Sequence, residues 1–224
     1  MLEIVLILAK LLAAEPTAAE PRIEVWAGHQ ALSGKRKVPL YGEKDTRTDN
    51  YLIAEVHRFP THLDIIQKTC RIDIHPIGSV RAAMKTETVL RLPKVRLALD
   101  VGPDGAVSGP ASNSGWGDED LDGDGHPGAT VQISGTTCSG EVYVSNQSAT
   151  TVLSGRVTDD GMTGKLSVRM KQRILGASGI CLKLIAGDSD ETQSGSFVYR
   201  RIQPGNNCRT LADKPWPVKL EAAK

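Results

Sequence analysis

Residues 118–128 carry the one stretch of this chain with legible chemistry: Asp118-Glu119-Asp120-Leu121-Asp122-Gly123-Asp124-Gly125-His126-Pro127-Gly128. Aspartates occupy every second position from Asp118 to Asp124, and glycines are interleaved. Alternate residues of a tight turn can point inward together, so such a run can deliver several oxygens to one centre. Calcium takes about six to eight oxygen ligands at roughly 2.3–2.6 Å and favours carboxylates supplemented by carbonyls and water. A glycine behind the last carboxylate permits the sharp turn that a Cβ would block. Two registers fit. One uses Asp118, Asp120 and Asp122 with Gly123 at the turn. The other uses Asp120, Asp122 and Asp124 with Gly125 at the turn and the carbonyl of His126 as a further ligand. The second is preferred, because Pro127-Gly128 then leads into the strand-like run Ala129-Thr130-Val131-Gln132-Ile133. The expected metal ligands are therefore drawn from Asp118, Asp120, Asp122, Asp124 and His126, and the expected ion is calcium in a stabilising role. Without a cation the run is unfavourable: carboxylates about 6 Å apart repel by roughly 1–3 kcal/mol per pair. No Lys or Arg lies inside the segment.

The D-x-D-x-D-G pattern of Asp120 to Gly125 resembles the calcium loops of EF-hands, dockerins and thrombospondin type 3 repeats. The likeness covers about a dozen residues, and it implies a calcium ion held by the alternating aspartates. The twelfth position departs from the EF-hand: it is Val131 where that family has a bidentate Glu, and no helical pattern flanks the loop. Glu141 or a water is left to complete the shell. The D-x-D-G-D-G core also resembles integrin-type propeller repeats, but that architecture needs several copies and this chain has one.

Other constellations are weaker. His57, His62 and Asp64, with His75 following, could ligate zinc, but Pro60 stands between the first two and their spacing is not one helical turn. No G-x-S-x-G, H-E-x-x-H, P-loop or G-x-G-x-x-G pattern occurs. Asn146-Gln147-Ser148 has the form of a glycosylation acceptor.

The 224 residues suit one large all-β domain, and 40% hydrophobic with 24% charged residues is ordinary for a folded one. A net charge of +1 gives no footing for nucleic acid or an anionic membrane, and 4% aromatics do not make a stacking platform. Cys70, Cys138, Cys181 and Cys208 are too far apart for a C-x-x-C pair, and their even number reads as two disulfides with three connectivities open. Residues 1–19 contain the apolar run Ile4 to Ala14 and the small residues Thr17-Ala18-Ala19, and they resemble a secretory signal peptide, although Glu3 and Lys10 are atypical there. A secreted or periplasmic chain without stable membrane insertion is expected.

From Pro21 onward, apolar and polar residues alternate with the period of strands. Ile23 and Val25 open the pattern, and Gly28 and Ser33-Gly34-Lys35 read as breaks. Tyr51 to His57, Ile72 and Ile74, and Val95, Leu97, Leu99 and Val101 continue it. Val131 and Ile133, Val142 and Val144, and Leu166, Val168 and Met170 form the clearer second half. Asp160-Gly161 predicts a hairpin, and Ser194-Gly195 a turn before a closing strand. A helical turn or two is expected near Arg81-Ala82-Ala83-Met84. The long Gly-rich stretch 102–128 reads as a loop, with Trp116 packed beside its metal-binding half, and the tail 206–224 as held at Cys208 and then frayed. Ten to a dozen short strands joined by tight turns predict an all-β fold: an antiparallel up-and-down barrel of lipocalin-like architecture, with a two-sheet β-sandwich as the alternative. Residues 20–205 would form one domain. The expected function is that of a calcium-stabilised β-domain that binds a protein or small-molecule ligand, or is structural. A secreted hydrolase on the same scaffold is the alternative.

Overall fold

The computed structural model describes residues 20–38, 42–136 and 138–220; the signal-like segment 1–19 lies outside them. The described residues form an antiparallel, strongly curled half-barrel sheet, which matches the all-β, barrel-like expectation. Its strands are β1 (Arg22–Val38), β2 (Gly42–Arg58), β3 (His62–Ile74), β4 (Arg81–Met84), β5 (Val95–Val101), β6 (Val107–Ser108), β7 (Ser112–Trp116), β8 (Ala129–Ser134), β9 (Gly140–Thr158), β10 (Gly161–Ala177) and β11 (Ser189–Ile202). Two short helices interrupt them, α1 (Thr86–Arg91) and α2 (Ile180–Ile185). The order across the sheet is β4-β8-β9-β10-β11-β1-β2-β3-β5-β6, so the first and last long strands lie side by side. Several strands are far longer than expected: β1, β2 and β10 have 17 residues each and β9 has 19.

The edge of β9 away from β10 is occupied piecewise. β8 pairs Gly140 to Val144, β7 pairs Asn146 to Thr150, and Ala106 bridges Arg156. Because β6 also pairs β5, the segment from Gly102 to Trp116 spans the gap between β5 and β9. That satisfies edge groups that would otherwise invite another chain. The first half of the expected long loop is therefore two short strands, β6 and β7. Asn146 is buried in β9 and paired on both sides, to Trp116 and Gln172, so the acceptor-like triplet is closed to glycosylation in the folded chain.

Side chains from all the long strands fill the curl. Trp26, Phe197, Tyr199, Leu63 and Ile65 are almost wholly buried there, with Leu97, Leu99, Leu166 and Val168 around them. The inward row of β1 contains Trp26 and Leu32, not the expected Ile23 and Val25, and Ile23 is exposed. Gly28 is no break: it lies inside β1, where an added Cβ would run into the Tyr199 ring. Ser33-Gly34-Lys35 and Gly195 likewise lie within β1 and β11. Arg81 to Met84 is strand β4, and the helix follows it at Thr86.

A second cluster lies at one end of the sheet: Ala129, Val131, Val142, Val144, Ala177 and Leu182, with Trp116 and Leu121 packed against it. A third sits on the outer face, where Leu211 and Trp216 of the tail cover Ala27, Tyr51 and Cys70. Through Leu220, the last described residue, the tail does not fray. Trp216 Nε1 donates to Gly28 O at 2.9 Å, and Leu220 N to His29 Nδ1 at 2.9 Å. All four cysteines are paired, Cys70 with Cys208 and Cys138 with Cys181. The second pair joins helix α2 to the β8–β9 connection.

Candidate metal centre

The acidic loop leaves β7 at Trp116 and re-enters the sheet at Ala129. Its neck is closed by two backbone hydrogen bonds, Leu121 N to Gly128 O at 2.8 Å and Gly128 N to Glu119 O at 3.0 Å. Trp116 Nε1 donates to Val144 O at 2.8 Å, and Leu121 packs on the second cluster, so apolar anchors flank the carboxylates. Gly125 has φ +86°, the left-handed conformation that a side chain would disfavour.

Within this frame Asp120, Asp122 and Asp124 turn toward one another, each offering an oxygen within 4.8 Å of the others. These are the three aspartates of the second register. Asp120 accepts from the backbone of Gly123 at 2.7 Å, Asp124 at 3.2 Å and Gly125 at 2.9 Å, which folds the chain around its carboxylate. Those donors, the Gly125 N–H foremost, hold its pKa below the usual carboxylate value. Asp124 accepts from His126 N at 3.0 Å and from Thr130 Oγ1 at 2.6 Å. Asp122 Oδ2 accepts from Thr88 Oγ1 at 2.7 Å and Thr130 N at 3.0 Å, while its Oδ1 is buried and has no protein partner.

Of the other expected residues, one lies outside the trio, and the other is expected to act through its carbonyl and not its ring. Asp118 is exposed and outside the convergent trio. The His126 ring stacks on Tyr143 at 4.0 Å, and its Nε2 lies 3.2 Å from Tyr143 Oη, so the imidazole is engaged away from the aspartates. Val131, at the twelfth position, is buried in the second cluster, and Glu141 is not part of the acidic group. The fold also supplies what the linear segment lacks. Arg91 of α1 lies against Gly123, where a Cβ would meet its Nη1 at 2.7 Å, and its charge helps to lower the Asp120 pKa. Thr88 and Arg91 come from a helix about 30 residues upstream, and no local pattern marks them as parts of the site.

This donor set suits a hard cation. It is all oxygen and anionic, and one buried carboxylate oxygen is left unsatisfied by the protein. The histidines weighed for zinc do not assemble with Asp64: His57 contacts Glu55 at 2.7 Å, His62 stacks on Phe59, and His75 reaches Asp49 at 2.6 Å. Comparison with protein-family models, curated proteins and solved structures finds no match. The two disulfides indicate an oxidising, extracellular or periplasmic compartment. No helix among the described residues is long and apolar enough to cross a membrane.

Proposed function

We propose that this chain is an exported β-domain stabilised by calcium, acting as a binding or structural protein through its surface. Asp120, Asp122 and Asp124 would hold the ion together with the carbonyl of His126, and Asp118 would add charge at the rim. The observation that carries this reading is Asp122 Oδ1, an anionic oxygen buried without a partner beside two other carboxylates. Leaving a buried acceptor unpaired costs about 1–3 kcal/mol, and more when it is charged. A divalent ion would remove that penalty and the mutual repulsion together. Free calcium is abundant in the compartment that the disulfides indicate, which favours it over scarcer cations.

The filled interior, with Trp26, Phe197 and Tyr199 at its centre, supports recognition on the surface rather than carriage of a ligand inside the curl. The dispersed histidines lend the hydrolase reading no support. The test is thermal unfolding of the full chain in calcium against chelator. Calcium should raise the melting temperature, and Asp122→Ala should abolish the rise. Equal melting temperatures in the two conditions would remove calcium from the account.

A further inference from the structure

The tail ends on a hydrogen bond whose direction fixes the state of a buried histidine. Leu220 N–H donates to His29 Nδ1 at 2.9 Å. A ring nitrogen that accepts carries no proton, so the proton of neutral His29 sits on Nε2, which donates to Asp49 Oδ1 at 3.1 Å. His29 and Asp49 are both buried, and the His29 ring stacks on Tyr51 at 4.8 Å. Trp216 of the tail meets the Tyr51 ring edge-on at 5.7 Å. The titratable and charged groups around His29 come from several elements. Asp49, Arg47 and Tyr51 lie on β2, Arg71 on β3 and His75 just beyond it, and Lys219 on the tail. Asp49 Oδ2 meets His75 Nε2 at 2.6 Å and Arg47 Nε at 3.7 Å, and the Arg71 guanidinium covers the Tyr51 ring at 3.7 Å.

We propose that the C-terminal tail is a pH-sensitive latch whose catch is the unprotonated Nδ1 of His29. Acidification releases residues 217–220, while the Cys70–Cys208 bridge keeps the tail tethered. A proton arriving on Nδ1 turns the acceptor into a donor, so Leu220 N–H faces N–H. The imidazolium then also lies near the Lys219 ammonium. Asp49 favours the imidazolium, but His29 and Asp49 belong to one β1–β2 hairpin and stay together whether the tail is docked or not. That attraction therefore does not discriminate between the two states. What docking adds is burial, the Leu220 donor and the Lys219 charge, and all three favour neutral His29. Burial, the largest influence, lowers the His29 pKa from its ordinary value. The docked pKa is thus below that of the released form, in which Asp49 still favours the imidazolium. Docking is at full strength above the released value and weakens as the pH falls below it toward the docked one.

The test is amide exchange and ring-nitrogen shifts measured by NMR on the full, isotope-labelled chain. At about pH 7.5 the Leu220 amide should be protected and His29 Nδ1 should show no proton. At about pH 5.5 its protection should fall measurably, after correction for the intrinsic pH dependence of exchange, with the disulfide intact. His29→Gln should remove the pH dependence. Lys219→Glu, which leaves the core untouched, should move the release to lower pH. Equal Leu220 protection at both pH values, a protonated Nδ1 at the higher one, or a release that Lys219→Glu leaves in place would overturn the latch.

Discussion

The core inside the curl and the cluster beneath the acidic loop are held by different means. The first draws Trp26, Leu63, Phe197 and Tyr199 from strands far apart in sequence and buries them almost completely. The second has six buried residues, mostly Val and Ala, and beside it stand a disulfide to α2 and three converging carboxylates. Where apolar area is scarce, a covalent link fixes the chain, and on the proposed reading a bound ion would do so too. The main core should therefore be indifferent to cations, to which the loop end is sensitive.

Breaking the main core should have the largest effect. Leu63 is fully buried, so Leu63→Ala should cost about 2–5 kcal/mol in denaturant unfolding, by the same amount with and without calcium. Removing the loop-end bridge with Cys138→Ser and Cys181→Ser should cost about 2–4 kcal/mol and also weaken calcium binding, because the cluster under the loop loosens. An unchanged calcium affinity in that variant would uncouple the ion site from the second cluster. Chelation should cost on the order of 1–2 kcal/mol for a site with the affinity of extracellular modules, read as the difference in unfolding free energy between calcium and chelator.

The smallest effects sharpen the contrast through pH. Backbone donors hold Asp120 below the ordinary carboxylate pKa, so the stability it contributes is present above that value and lost only as the pH falls through the depressed one. The contribution of Asp120 to stability should outlast that of an ordinary carboxylate as the pH falls, and melting series of the native chain and Asp120→Asn across pH check this. Glu191, buried in β11 with Oε2 outside hydrogen-bond reach and 4.0 Å from Arg36 Nε, has the opposite sign. Burial raises its pKa, so its neutral form is favoured in the folded chain, and its burial penalises stability as the pH rises through that value. Glu191→Gln should raise the melting temperature slightly at neutral pH and not at acid pH. Arg36 would keep Gln172 and Ser189 as partners in that variant.

Alternation was readable wherever one face of a strand is wet. Leu97 and Leu99 are buried while Arg96 and Asp100 are exposed, and the turn at Asp159-Asp160 joins β9 to β10 as its sequence predicts. On β1 the same reading chose the wrong face, for a physical reason. The tail covers the outside of β1 and β2, so Trp26 and Ala27 are both buried and period two loses its contrast. Gly28 read as a turn because its reason, the Tyr199 ring, lies on the last strand. Of the ion site, the three aspartates and their glycine are local and were legible. Thr88, Thr130 and Arg91 reach the loop only through the fold, and so does the burial of Asp122 Oδ1.

Calorimetric titration of calcium into the full chain, repeated on Asp122→Ala, bears most directly on the claim that this loop is built around an ion. A single saturable site with a Kd of about 10⁻⁴–10⁻³ M, lost in the variant, is the predicted result. No saturable heat in the native chain, or the same binding in both, would contradict it.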